Sequence, residues 1–233
     1  MTPAVEGTLS IMRACKANGV RRCVVTSSIA SVLYRERPAE LYDETLWTDP
    51  NWPGISLYAK SKVLAEKAAW DFQASLPENE RFELVTILPG FVLGPALRVE
   101  PSTSINFCKS ALNGSMTEIP HRGMPIVDVR DCAMAHLLAV KVTAAANQRF
   151  INTKESAWLR ELVAPIAERF RPEGWLVPSV EAAPAEGFDG YIPRMNNAKS
   201  IEILGVRYRP LAETMVDMAA KMIELHAVIE PNL

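Results

Sequence analysis

The sequence predicts an α/β protein organised on a parallel sheet. Short β-branched runs ("RRCVVT", "FELVTIL", "MPIVDV", "RFINT") alternate with stretches in which apolar residues recur every three or four positions. The runs are brief and nearly all apolar, as strands covered on both faces must be. Gly, Pro or Asn stands at the ends of most of these segments, where regular structure has to stop.

Taken in order, Pro3 suits a first helical turn, where a missing N–H costs nothing. Val5, Leu9, Met12 and Cys15 continue that helix at core spacing, and Asn18-Gly19 stops it. A buried strand over 22–27 follows, ending in the hydroxyl residues Thr26, Ser27 and Ser28. Residues 29–56 form a long connection with Pro38, Pro50, Pro53 and Gly54; such a length in a compact domain marks function or an insertion. A helix is predicted from about Leu57 to Ala74. Its apolar or small stripe reads Leu57, Ser61, Leu64, Ala68 and Phe72, with Tyr58, Lys62, Ala65 and Ala69 beside it. Strand 82–88 is broken at once by Pro89-Gly90. Helix 102–112, strand 124–129, a helix from Asp131 to Val142 and strand 149–153 come next. "SAWLRELVAPIAERF" reads as an amphipathic helix, and its Pro165 predicts a kink or two pieces. Residues 172–195 are loop-rich. Two last helices are predicted near 196–204 and 211–229, with Met215, Met218 and Met222 on a core face.

Composition narrows the function. Of 233 residues, 48% are hydrophobic and 22% charged, enough apolar mass for a real core. The net charge is −2 with the signs interspersed, which excludes nucleic acid or an anionic membrane as main partner. No apolar run has the length of a membrane span, and "MTPAVEGTLS" lacks the basic and apolar regions of a signal peptide, so a cytoplasmic location is expected. Cys15, Cys23, Cys108 and Cys132 lie far apart and His121, His136 and His226 are scattered, so no metal site is expected and the thiols read as free and buried or half-buried. His136 reads as a packed or capping residue, His121 as part of a surface turn, and Arg21-Arg22 as a solvated pair. Trp47 and Trp52 read as covers of the core edge or pocket walls.

The chemistry concentrates in "SLYAKSK". Tyr58 and Lys62 stand one helical turn apart and so share a face. An ammonium near a phenol favours the phenolate, and a phenol tuned this way exchanges a proton with a carbonyl or alcohol oxygen. Thr26, Ser27 and Ser28 lie at a strand's carboxyl end, where open parallel sheets bind ligands, and one of those hydroxyls can hold the same oxygen. "PGFVLGP" follows another strand and opens on the same rim. Each feature alone is weak. Their order along one chain is specific.

In that order the sequence resembles the extended branch of the short-chain dehydrogenase/reductase superfamily. It looks closest to the dihydroflavonol reductase, cinnamoyl-CoA reductase and methylglyoxal reductase group. The matching stretches are "PAVEGTLSIMRACKANGVRRCVVTSS", "YDETLWTD", "YAKSKVLAEKAAWDF", "ILPGFVLGP", "MPIVDVRDCAMAHL" and "RFINTKES". The resemblance implies the C-terminal part of a Rossmann-type doubly wound sheet plus a small, mostly helical substrate-binding region. Residues 1–95 would be a partial dinucleotide-binding domain, and 96–233 a mixed region holding the substrate lobe, returning strands and the last helices. It implies an oxidoreductase using NADP or NAD, with NADP favoured, on a small aldehyde, ketone or alcohol. Ser28, Tyr58 and Lys62 match the catalytic serine, the proton donor and the lysine that tunes that donor and bonds the nicotinamide ribose. Thr26 and Ser27 sit beside the cofactor by the same match, Pro89, Gly90, Phe91 and Val92 match the loop along the nicotinamide ring, and Ser102 (or Ser104) matches a serine near the phosphates. Asp128 and Asp131 match a structural segment. Helices like 57–74 form dimer interfaces in this superfamily, which makes a homodimer one expected assembly.

The departures are as specific. No Gly-rich turn of the GxGxxG or GxxGxxG kind stands between a strand and a helix, so the backbone cradle for a pyrophosphate is not in this sequence. Ser10 stands where the family commonly has asparagine. The sequence therefore reads as a fragment, isoform or shortened relative with little or no activity alone. The competing expectation is a non-catalytic module that binds a partner through an exposed sheet edge; sugar-nucleotide epimerase or hydroxysteroid dehydrogenase chemistry is a further alternative.

Overall fold

The computed structural model describes residues 2–36, 38–187 and 190–228. In chain order its elements are α1 (Thr2–Ala17), β1 (Arg22–Thr26), α2 (Ala30–Leu33), α3 (Leu57–Ser75), β2 (Glu83–Pro89), β3 (Phe91–Leu93), α4 (Thr103–Leu112), β4 (Gly123–Asp128), α5 (Val129–Lys141), β5 (Gln148–Asn152), β6 (Glu155–Trp158), α6 (Leu159–Phe170), α7 (Ala198–Glu202) and α8 (Leu211–Glu224). They fall into two compact units. The first takes the described residues of 1–90, 132–153 and 193–207, and the second those of 91–131, 154–192 and 208–233. The chain passes from the first unit to the second between Gly90 and Phe91, and two later segments return to the first.

In the first unit β1, β2 and β5 form an all-parallel sheet in the order β1-β2-β5. β2 is central, and six of its seven residues are buried. α1 and α3 pack together, and Met12, Ala69, Leu76, Phe82 and Leu84 close the core there. Ile29, Val32, Tyr42, Leu88 and Ile151 close another cluster. Arg22 corrects the expectation of a solvated pair. Its side chain is 7% exposed; it bonds Glu83 at 2.6 Å and donates to the carbonyls of Ala139 and Val142 at 2.8 and 2.7 Å. A cation there satisfies carbonyls that the end of α5 leaves without intrahelical partners.

α3 begins where its N-cap dictates: Ser56 has extended backbone and its hydroxyl accepts from the Ala59 amide at 3.1 Å. Its buried face is Ala59, Val63, Glu66 and Ala69, not the stripe through Leu57, which is 78% exposed. The apolar pattern misplaces that face because one of its members is a carboxylate. Glu66 is 2% exposed and accepts from Arg149 Nε at 2.8 Å, Thr86 Oγ1 at 2.8 Å and Ser27 Oγ at 2.5 Å. Arg149 also donates to the carbonyls of Glu44 and Leu46 and lies 3.6 Å from the centre of the Trp47 ring. Trp47 thus covers a buried cation. Burial alone would push the Glu66 carboxyl up, but the bonds from Arg149, Ser27 and Thr86 outweigh it and hold the group below its ordinary value.

In the second unit β3 pairs parallel with β4, and β4 antiparallel with β6. Neither β3 nor β6 is foreseen in the sequence: one has three residues, and the other, "ESAW", reads as the start of a helix. Against them pack Leu112, Leu162, Ile166, Met215, Met218 and Met222, all in one buried cluster. The methionine stripe is therefore core. α6 runs unbroken through Pro165. Its buried face of Leu162, Val163, Ile166, Ala167 and Phe170 outweighs the one backbone bond that proline forgoes. Asp128 accepts from the Arg130 amide at 2.8 Å and guanidinium at 2.8 and 3.0 Å, and Asp131 accepts from the Arg209 amide at 2.7 Å. Both aspartates are structural, as the resemblance implies. No helix among the described residues is long and apolar enough to cross a membrane.

Candidate active site

The carboxyl ends of the three parallel strands of the first unit are tied side by side. Ser27 N donates to Ile87 O at 2.8 Å, Ile29 N to Pro89 O at 3.1 Å and Gly90 N to Asn152 O at 3.1 Å. This locks the Thr26-Ser27-Ser28 tip against the Pro89-Gly90 tip. Ser28 is 7% exposed, and its Oγ accepts from the Ala30 amide at 3.1 Å, which turns the hydroxyl toward the start of α3.

The Ser56 cap puts Tyr58 and Lys62 on the first two turns of α3, one above the other. Tyr58 Oη lies 3.5 Å from Ser28 Oγ, and Lys62 Nζ lies 6.0 Å from the centre of the Tyr58 ring. A 3.5 Å separation is long for a hydroxyl pair, yet both hydroxyls can reach one oxygen atom between them at about 2.7 Å. Tyr58 is 59% exposed, so an incoming molecule can approach it. The Lys62 ammonium has no ion-pair partner among the described residues. It lines a cavity of about 250 Å³ together with Thr8, Val25, Thr26, Ser27 and Ser61.

The other residues singled out by sequence fare differently. Thr26 Oγ1 lies 2.8 Å from His136 Nε2, and His136 Nδ1 lies 2.8 Å from the Cys132 carbonyl. A carbonyl can only accept, so Nδ1 donates, and in the neutral ring Nε2 accepts from Thr26. Ser27 is 6% exposed and bonded to Glu66 and to Ser31 at 3.1 Å, so its hydroxyl serves the framework although the residue lines the cavity. Pro89 ends β2 and Gly90 follows it. Phe91 and Val92 belong to the second unit, where they form strand β3 instead of the expected loop; Phe91 meets Phe107 edge-on at 6.1 Å. Ser102, also in the second unit, caps α4 by accepting from the Ile105 amide at 3.3 Å. Sequence reasoning missed Glu66. The signal was present: Tyr58, Lys62 and Glu66 recur every four residues, and a carboxylate that continues this face inward has to be paired.

The donor set suits the nicotinamide and ribose end of a dinucleotide. A half-buried ammonium without an ion-pair partner lines a cavity, and one turn before it on the same helix the Tyr58 hydroxyl lies 3.5 Å from that of Ser28. No comparable set for a pyrophosphate accompanies it, since the sequence holds no glycine-rich strand-to-helix turn.

Comparison with known proteins follows the same line. Residues 1–155 match the 3-beta hydroxysteroid dehydrogenase/isomerase family. The cinnamoyl-CoA reductase CAD2 of Medicago truncatula is 35% identical over 217 residues, covering 90% of this chain and 63% of that protein. The NADPH-dependent methylglyoxal reductase GRE2 of Saccharomyces cerevisiae is 28% identical, covering 98% of this chain and 72% of that one. Among solved structures, Gre2 of Candida albicans in complex with NADPH superposes with a TM-score of 0.82 at 29% identity, over 97% of this chain and 71% of that one. The chain thus spans between 63% and 72% of the length of these relatives. With the fold, the order of motifs and the family match in agreement, the chain belongs to the 3-beta hydroxysteroid dehydrogenase/isomerase family, within the extended short-chain dehydrogenase/reductase superfamily.

Proposed function

We propose that this protein is an oxidoreductase that interconverts a small aldehyde or ketone and its alcohol with a nicotinamide dinucleotide, NADP in preference to NAD. The observation that carries this is the 3.5 Å approach of Tyr58 Oη to Ser28 Oγ, with Lys62 on the same helix face. The preference for NADP rests on the relatives named above: the yeast methylglyoxal reductase is NADPH-dependent, and the Candida albicans Gre2 structure is a complex with NADPH.

Each residue has one task. Ser28 donates to the substrate oxygen and fixes its position. Tyr58 gives that oxygen a proton in reduction and takes it back in oxidation. The Lys62 ammonium favours the negative charge that forms on the Tyr58 oxygen when the proton leaves, and bonds the ribose hydroxyls. The chemistry that a bound nicotinamide supplies is transfer of a hydride to or from carbon. Pro89 and Gly90 line the same rim in the first unit.

The 233-residue chain is expected to hold the dinucleotide weakly, because the proton-transfer half of the site is present and the phosphate cradle is not. Titration by nicotinamide fluorescence should give a Kd above about 100 μM; micromolar binding would refute this part. At millimolar NADPH, reduction of an aldehyde and ketone panel should fall by about 10²-fold or more in Tyr58→Phe. A rate that the substitution leaves unchanged removes the assignment.

A second reading has one observation in its favour. Among the described residues β1 pairs with β2 alone, so its other edge offers unpaired backbone groups to a strand from a partner. No turnover with any carbonyl at saturating cofactor, together with protection of the β1 amides by a partner, would favour such a binding module.

A further inference from the structure

Two cysteines near the start of the first unit meet in space. Cys15 stands in the last turn of α1, and Cys23 is the second residue of β1. The chain between them turns at once. Gly19 N donates to Lys16 O at 3.2 Å and Val20 N to Cys15 O at 3.0 Å, which folds the strand back along the helix. Both side chains are half-buried against the cluster of Met12, Ala69, Leu76, Phe82 and Leu84, and the two thiols are hydrogen-bonded to each other. Cys108 and Cys132 are buried and belong to no such pair in that cluster. Cys23 lies toward the opposite end of β1 from Ser28, so the proposed reductase centre makes no use of this contact.

The two sulfurs differ in what they face. Cys15 lines a recess of about 560 Å³ with Lys16, Val20, Arg21 and Arg81, so a small molecule can reach it. The carboxylates on the same walls are engaged: Glu80 pairs with Lys16 at 2.8 Å, and Glu83 with Arg22 at 2.6 Å. Cys23 is not on those walls. Burial first, then the adjoining Cys15 sulfur, pushes its thiol up to about 12. Cys15 is therefore the sulfur that meets a reagent, and Cys23 the one placed to displace it. A cross-link here would also have a mechanical effect. Among the described residues β1 pairs with β2 alone, so one edge of the strand has no sheet neighbour to hold it.

We propose that Cys15 and Cys23 are a redox pair, which a small disulfide such as oxidised glutathione converts into a cross-link that clamps β1 to α1. The Cys15 thiolate attacks one sulfur of the reagent and expels the other as a thiolate, leaving a mixed disulfide. Cys23 then attacks the Cys15 sulfur and expels the second thiolate. The protons of the two cysteine thiols pass to the two departing thiolates. The chain loses two electrons and the reagent gains them, so a dithiol and a disulfide have exchanged states. The second step is intramolecular between sulfurs already in contact, so the mixed disulfide does not accumulate. The closed loop is short, and the bond restrains the strand through it. None of this rests on the reductase reading.

The test maps the bond. The full chain is equilibrated with millimolar oxidised glutathione at neutral pH, quenched with acid, and its remaining thiols are alkylated under denaturing conditions. Trypsin cuts after Lys16, Arg21 and Arg22, which puts the two cysteines on different peptides. Mass spectrometry should find residues 14–16 joined to residues 23–35, with glutathione adducts of either cysteine below about a tenth of the joined form. Dithiothreitol should separate the peptides again. Amide exchange in β1 should slow by about tenfold in the oxidised chain. Cys23→Ser should stop at a glutathione adduct on Cys15, with an unchanged circular dichroism spectrum. Two alkylated thiols or two separate adducts in the wild type, a link that forms only in urea, or β1 exchange unaltered by oxidation overturns the proposal.

Discussion

Replacing Glu66 by leucine probes the framework that holds the site together. In the folded chain this carboxylate collects bonds from α3's neighbours on three strands: Ser27 after β1, Thr86 of β2 and Arg149 of β5. Glu66→Leu leaves the Arg149 guanidinium, 8% exposed, without its counter-charge, and strands the buried Thr86 hydroxyl. Breaking a buried ion pair by removing one partner costs about 3–5 kcal/mol. Arg149 keeps its bonds to the Glu44 and Leu46 carbonyls and the face of Trp47, which favours the lower end of that range. Ser27 keeps its contact with Ser31, while Thr86 loses its acceptor. A loss near 3 kcal/mol is a large part of the roughly 5–15 kcal/mol that holds a domain folded.

Native-state hydrogen exchange at the β2 amides reads this locally, so the second unit does not blur the result. Exchange in β2 should accelerate by about two orders of magnitude in Glu66→Leu. The paired change Glu66→Leu with Arg149→Met removes both charges and should recover at least about 1 kcal/mol relative to the single variant. Two results would refute the reasoning: a single variant that exchanges like the wild type, or a double variant no better than the single. Either would mean that the network is solvated, or that the strand tips are held by backbone bonds alone.

Further expectations follow from particular groups. Glu66 and Asp128 both sit below their ordinary carboxylate values of 4.5 and 3.8, so their stabilisation is full above those values and is lost as pH falls through the lower folded ones. Urea melts between neutral pH and about pH 3 should show stability falling with acid, and less steeply in Glu66→Gln; Glu44, pushed up by burial, works in the opposite sense. Gly123→Ala would bring a methyl to 2.3 Å from Ile192 Cγ2 and 3.1 Å from the Ala157 carbonyl, and should destabilise the second unit by about 1–3 kcal/mol in thermal melts. Cys108 is fully buried and its thiol is pushed up to about 12, so iodoacetamide at mildly alkaline pH should alkylate it only after unfolding; prompt labelling in the native chain would contradict that burial.

Much of this molecule is written in local patterns. Strand 82–88, the helix over 57–74 and the methionine stripe of α8 were each legible because one period or one cap decides them. The same holds for Tyr58 and Lys62, whose shared face follows from helix geometry alone. What escaped is non-local. Arg22 looks like a surface cation until α5 brings carbonyls to it from more than a hundred residues away. β3 is too short to carry a period, and β6 is a strand only because β4 lies beside it.

α3 shows why such failures cluster around the site. Counting apolar residues puts Leu57 inside and Glu66 outside, and the folded chain does the reverse. A buried carboxylate is unfavourable on any hydrophobic scale and becomes stable only with Arg149, contributed by a strand eighty-three residues later. The face that carries Tyr58 and Lys62 to the rim therefore carries Glu66 to the centre of the unit. From there one side chain reaches β1, β2 and β5 together. The distance between Ser28 and Tyr58 is set by those strands and that helix, so the charge that spoils the apolar pattern is also what keeps two hydroxyls close enough to share an oxygen.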